Sequence, residues 1–278
     1  MSAPLPPYLR VVPAPNPGPM TLEGTNAWLV GDPDEAPALV LDPGPDLAEH
    51  REAVLAACGG RAAGVLLTHR HPDHADGAAA LAARAGCGVR ARDPEQCVRG
   101  ERLSDGEVLT TGATTLRVVA TPGHTSDSCS LLVEGPDGAR WLLSGDTVLG
   151  RGTSVIASPD GHLGDYLRSL ERLAALVAEH RVREILPGHG PRVADPAERL
   201  AGYQRHRFER LAQVRAALAA GDRTAEQVVA RVYADVDRAV WPAALQSVRA
   251  QLLYLAESIA EPATIDVDDF EGEGFQPR

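Results

Sequence analysis

The chain has 278 residues, 44% hydrophobic and 23% charged, which is the balance of a folded globular protein and excludes a disordered one. With 27 basic and 38 acidic residues the net charge is −11, which argues against charge-driven nucleic-acid binding by the whole molecule. Every basic residue is arginine, so lysine chemistry is excluded. No apolar run approaches the roughly 18 residues of a membrane span, and the N-terminus lacks the pattern of a secretory signal, so a cytoplasmic enzyme is expected.

The first 25 residues are proline-rich and read as an irregular arm. Residues 27–30 and 38–41 read as strands, with a turn beginning at Gly31-Asp32-Pro33. Asp46 is expected to cap a helix that runs to about Cys58 and ends at Gly59-Gly60. A buried strand at 64–68 follows, then an alanine-rich helix at 76–85. Residues 115–120, 129–133 and 141–144 are β-branched or apolar runs with turn-rich flanks, the pattern of strands. An amphipathic helix at 165–178 and a short strand at 184–186 complete this part. From Asp195 onward the periodicity is helical only, in segments 196–219, 224–234 and 242–258. The expected organisation is an α/β catalytic body over 1–194, followed by a helical appendage with an acidic tail over 195–278.

The chemistry is concentrated in Thr68-His69-Arg70-His71-Pro72-Asp73-His74. At an extended strand end His69 and His71 project to one side, while Asp73 and His74 fall in the turn into the next helix. Imidazoles and a carboxylate this close together suit zinc-like dications. Three glycine-bearing turns, each after an apolar run, add His124 in Pro-Gly-His-Thr, Asp146 in Ser-Gly-Asp-Thr and His189 in Pro-Gly-His-Gly. Loops at one end of the strands of a layered fold can converge, so these residues can share one site. The four cysteines (Cys58, Cys87, Cys97 and Cys129) contain no CxxC pair and read as free thiols. His50, His162, His180 and His206 read as surface residues.

These motifs, in this order and preceded by Leu41-Asp42-Pro43-Gly44, resemble the metallo-β-lactamase fold superfamily. The resemblance implies a four-layer αββα sandwich with two divalent metal ions, zinc being expected, at its edge. His69, His71 and His124 would hold the first metal, and Asp73, His74 and His189 the second, with Asp146 bridging both. Asp42 would orient a ligand imidazole without ligating. The segments Glu23-Gly24-Thr25-Asn26 and Gly145–Thr153 and the C-terminal helices resemble the lactamase-beta-2-like branch, with its winged-helix appendage. In that branch Asn26 and Thr153 would line the pocket.

Two dications can activate a shared water as nucleophile and stabilise a developing oxyanion, with Asp73 placed to move a proton and Asp146 holding the pair of ions. A small ester or thioester is the favoured substrate. A single-stranded RNA endonuclease is the alternative, since residues 200–255 hold eight arginines against five acidic residues, and His206-Arg207-x-x-Arg210 and Arg249 could meet phosphates. Only 4% of residues are aromatic, which leaves few stacking platforms for bases. A non-catalytic scaffold is the third possibility, opposed by retention of all seven ligands. A homodimer contact is a further role open to the appendage, and no membrane partner is expected.

Overall fold

The computed structural model describes residues 4–32 and 34–258. Pro33 of the expected turn and the acidic tail after residue 258 lie outside the described residues. Two five-stranded sheets form the centre. The first contains β1 (Leu9–Pro13), β2 (Asn26–Val30), β3 (Leu39–Leu41), β4 (Gly64–Leu66) and β5 (Val89–Arg90), in that order. The second runs β10 (Glu184–Pro187), β9 (Arg140–Gly145), β8 (Cys129–Glu134), β7 (Thr114–Ala120) and β6 (Val108–Thr111).

The two-residue period of a strand explains the layering. In β2, Trp28 and Val30 pack between the sheets, against Leu131, Val133 and Leu143 of the second sheet. Ala27 and Leu29 point the other way, into a cluster with Val54 of α1 (Ala48–Ala57) and Leu81 of α3 (Ala78–Ala85). On the second sheet Leu132 and Leu142 face outward, onto Leu167, Leu170 and Leu173 of α4 (Leu163–His180). Both faces of each sheet are therefore buried, and the chain forms the expected four αββα layers. The same outer cluster continues through Leu200 and Val214 of α5 (Pro196–Ala219), Val228 of α6 (Ala225–Val232) and Val248 of α7 (Trp241–Ser258). The C-terminal helices thus share one apolar core with α4.

Several expectations are corrected. The proline-rich arm contains β1, which pairs antiparallel with β2 from Leu9 opposite Val30 to Pro13 opposite Asn26. It is an edge strand, where proline is tolerated, and the prolines obscure its pattern. Leu47, not Asp46, occupies the cap position of α1, and the Asp46 carboxylate instead pairs with Arg51. The expected helix at 76–85 is α3, which starts at Ala78, and a separate short helix, α2 (Pro72–Ala75), precedes it across the turn at Asp76-Gly77. The Gly77 amide donates to the Gly44 carbonyl at 3.0 Å, and a Cβ there would lie 2.9 Å from that oxygen. Strands β5 and β6 escape a sequence reading because one is two residues long and the other has a largely exposed face. His50 is buried, its ring beneath the turn at Gly44, and His206 is half-buried.

Candidate metal centre

Strand direction gathers the site. β3 and β4 are parallel, as are β9 and β10, and β7 runs with β9 because both are antiparallel to β8. Asp42 follows β3, the His69–His74 segment follows β4, and His124, Asp146 and His189 follow β7, β9 and β10. All seven expected ligands meet at that edge.

They form two sets. His69 Nε2 and His124 Nε2 each lie 3.0 Å from His71 Nδ1. His74 Nε2 lies 3.1 Å from His189 Nε2, and one Asp73 oxygen lies 3.0 Å from His189 Nε2 and 3.4 Å from His74 Nε2. Asp146 sits between the sets, with oxygens 3.5 Å from His74, 3.4 Å from His189 and 3.8 Å from His124. Among the described residues its Oδ1 is buried without a hydrogen-bond partner. A Cβ at Gly188 would stand 2.5 Å from that atom, so only glycine lets the β10 turn approach.

The outer ring nitrogens show how the inner ones are aimed. His124 Nδ1 donates to the Val155 carbonyl at 2.8 Å, and His189 Nδ1 to the Gly24 carbonyl at 3.1 Å. His74 Nδ1 donates to Asp42 Oδ2 at 3.0 Å. His69 Nδ1 donates to Thr68 Oγ1 at 3.0 Å, and that hydroxyl donates on to Asp42 Oδ2 at 2.6 Å. With their outer nitrogens engaged, these four rings turn Nε2 inward, and His71 adds its Nδ1. Converging imidazole nitrogens, which a cation can occupy in place of any proton they carry, and the Asp146 carboxylate are a donor set suited to divalent cations.

Asp42 therefore serves both sets: His74 directly and His69 through Thr68. It also accepts from the Thr68 amide at 2.8 Å, which pins the start of the histidine segment. Its φ of 48° is in the left-handed region and is held by these contacts. Thr68 was not singled out in the sequence. The signal was its hydroxyl directly before the first histidine.

The electrostatics of the two sets differ. Burial, reinforced by His74 and His124, drives His69 well below the usual imidazole range, and burial with His124 lowers His71. Burial also opposes charge on His74, yet Asp146 and Asp42 carry it well above that range. His189 is raised to about 9 because its bonds to Asp146 and Asp73 outweigh burial. Burial would raise Asp146, but the charge on His74 and the hydrogen bond from His189 hold it well below the carboxylate range.

Other expected residues are placed as follows. Asn26 uses its amide on the carbonyls of Pro187 at 3.0 Å and Gly190 at 2.9 Å, which holds the His189 turn across the two sheets. Thr153 lines a cavity of about 450 Å³ with Tyr203 and His206. Cys129 is buried in its strand and its thiol is raised by burial, as expected of an inert core residue. Arg207 corrects the expectation of a phosphate contact. It is 3% exposed, lies over the Tyr166 ring and donates to the Ser154 carbonyl. Arg249 pairs with Glu226 at 3.3 Å.

Residues 20–189 match the metallo-beta-lactamase superfamily, and residues 224–258 the beta-lactamase-associated winged helix domain. A beta-lactamase-like protein 2 homolog of Caenorhabditis elegans is 34% identical over 254 residues, covering 87% of this chain and 82% of the relative. An atrochrysone carboxyl ACP thioesterase of Aspergillus chevalieri is 30% identical over 268 residues, covering 90% of this chain and 83% of the relative. A beta-lactamase domain protein of Burkholderia ambifaria has the same fold, with a TM-score of 0.75 at 24% identity over 92% of this chain and 89% of that one. Five ordered motifs, two facing sheets and these matches agree: the chain belongs to the metallo-beta-lactamase superfamily, with an associated C-terminal winged helix domain.

Proposed function

We propose that this superfamily member is a dinuclear, zinc-dependent hydrolase of small esters or thioesters, with His69, His71 and His124 holding one ion, Asp73, His74 and His189 the other, and Asp146 shared. The observation that carries the reading is the pair of inward-facing imidazole sets with an unpartnered Asp146 oxygen between them. Similarity to a carboxyl ACP thioesterase favours acyl chemistry within the hydrolase class. No helix among the described residues is long and apolar enough to cross a membrane, which fits action on a small substrate in the cytoplasm.

Bound at this edge, two divalent cations would supply Lewis-acid activation of water and of the electrophile at neutral pH. The protein's own groups do the rest. Asp146 places negative charge between the two sets, where the positive charge would be greatest. Asp73 is 28% exposed, the most open of the acidic ligands, and can take a proton from an attacking water and return it to the leaving group. Asp42 and Thr68 keep His69 and His74 from rotating as charge develops.

The RNA alternative has less support. Of the three arginines singled out to meet phosphates, Arg207 is buried on a carbonyl and Arg249 pairs with Glu226. The test is a panel of thioesters, lactones and labelled RNA oligomers offered to one metal-replete preparation. Thioester or ester turnover, abolished by chelation and restored by zinc, is the expected result. Cleavage of RNA alone would overturn the reading.

A further inference from the structure

A second cavity, of about 260 Å³, lies between the 153–155 segment, α5 and the connection from α6 to α7. Its wall is apolar at Val155, Val236, Val240 and Ala244, while His206 and Arg210 bring basic groups into it. Among the described residues no acidic side chain lines it, although the chain as a whole carries a charge of −11. That local reversal of sign within an acidic protein is the first observation.

The second concerns unspent hydrogen-bonding capacity. His206 Nδ1 is buried without a hydrogen-bond partner among the described residues. Arg210 has no carboxylate partner among the described residues. One of its nitrogens, Nη1, donates to Gln213 at 2.8 Å and to the Val232 carbonyl at 3.4 Å, and its guanidinium stacks 4.5 Å from the centre of the Tyr233 ring. Stacking fixes the plane of the guanidinium and leaves its edge available, the disposition in which arginine binds a carboxylate through two parallel bonds. A buried polar atom left without a partner is costly, so the His206 ring nitrogen is a place where a ligand's polar group can bind.

The third observation is position. Val155 lines this cleft, and its carbonyl accepts the hydrogen bond from His124 Nδ1. The cleft therefore begins one residue behind a ligand of the first metal. We propose that this cleft receives the acyl chain of the substrate, and that Arg210 and His206 bind an anionic group at the chain's far end. Substrates of this protein would then be ω-carboxyacyl or similarly acid-tipped thioesters. The inference rests on the hydrolase reading above, and its test separates the two.

Metal-replete protein is given N-acetylcysteamine thioesters of equal length, hexanoyl and adipoyl, which differ in a terminal methyl or carboxylate. The expected result is a preference for adipoyl of tenfold or more in kcat/KM, carried by KM. Arg210→Gln should reduce that ratio to near one. Val240→Asp, at a residue already 42% exposed and so safe for folding, should invert it by placing a negative charge in the cleft. Arg215→Gln, exposed on the same helix, is the control that keeps the ratio. Equal use of both thioesters, or a preference that survives Arg210→Gln and Val240→Asp, would overturn the subsite while leaving the hydrolase reading intact. If neither thioester is hydrolysed, the hydrolase reading is left to the wider substrate panel above. Calorimetric titration of the matching thioethers then decides the cleft: binding of the acid-tipped one, weakened tenfold by Arg210→Gln, supports it, and no difference between the two thioethers overturns it.

Discussion

The two halves of the metal centre are built from the same residue type but prepared differently. His69 and His71 in the first set are held neutral by burial and by the neighbouring His74 and His124. In the second set, Asp42, Asp73 and Asp146 surround His74 and His189 and hold protons on them. A site of neutral imidazoles can accept a cation without losing a proton, whereas a site rich in carboxylates must exchange a proton for it. Carboxylate content, more than histidine count, decides how each half meets its metal.

The largest effects break the comparison outright. Asp146→Ala removes the one group placed between both sets, and both metals should be weakened, with activity falling by more than about a hundredfold, beyond the usual cost of losing an outer support. His124→Ala should leave about one equivalent of metal, held by the second set, and His189→Ala about one, held by the first. Elemental analysis after dialysis reads all three. Full metal content in every variant would refute the division into two sets.

Asp42→Asn sharpens it. The substitution keeps the shape and tolerates the left-handed backbone at that position, but removes the charge that serves His74 directly and His69 through Thr68. Affinity for both metals should fall by about 10–100-fold. Loss confined to one metal would show that Asp42 supports one half only.

The convergence of the seven expected ligands was legible in the sequence because each follows an apolar strand in a short turn motif, and the sheet directions bring those turns to one edge. The αββα layering was legible for the same reason: residues such as Val40 and Leu132 are as apolar as their neighbours, which signals strands buried on both faces. What the sequence withheld depends on tertiary contact. Arg207 looks like an exposed member of a basic run, yet its place on α5 turns it inward against Tyr166 and Ser154. His50 looks like a surface residue of a helix, but α1 lies under the Gly44 turn and buries it. Asn26 reads as a pocket residue, while its amide spends its hydrogens on the β10 turn of the opposite sheet.

Acidity gives the next effect. In the metal-free protein His189 keeps its proton up to a pH of about 9, so a metal entering the second set at neutral pH must displace it. Raising the pH from 6.5 to 8.5 should therefore tighten the second metal by about tenfold per unit for each proton released, while the first metal changes little because His69 and His71 are already neutral. The same linkage has the opposite sign for the metal-free fold. A proton bound more tightly in the folded state stabilises it below pH 6.5, and that stabilisation is lost as the pH rises toward 9. Competition with a chelator at several pH values reads the first effect. Two parallel, flat affinity curves would remove the distinction between the halves.

The smallest effect comes from outside the centre and should reach only one half. Arg207 donates to the Ser154 carbonyl, and the next carbonyl, that of Val155, holds His124. On the second half α5 reaches only backbone: Arg199 and Tyr203 hold Leu149, and the next amide, that of Gly150, donates to the His189 carbonyl at 2.9 Å without touching its ring. Arg207→Met keeps much of the apolar stem but removes the charged hydrogen bond, at a cost of about 1.5–3 kcal/mol in stability. The freed 153–155 segment should let His124 turn, and the first metal should weaken several-fold while the second holds. Arg207→Lys retains charge and a donor, and should recover part of both losses, which a merely space-filling role would not predict. Arg249→Gln serves as the reference, since its pairing with Glu226 is peripheral and should contribute less than about 1 kcal/mol. Thermal denaturation and stoichiometric metal titration of the three variants read the result. Equal weakening of both metals in Arg207→Met would mean that α5 supports the centre as a whole, and the asymmetry between its halves would then end at the ligands themselves.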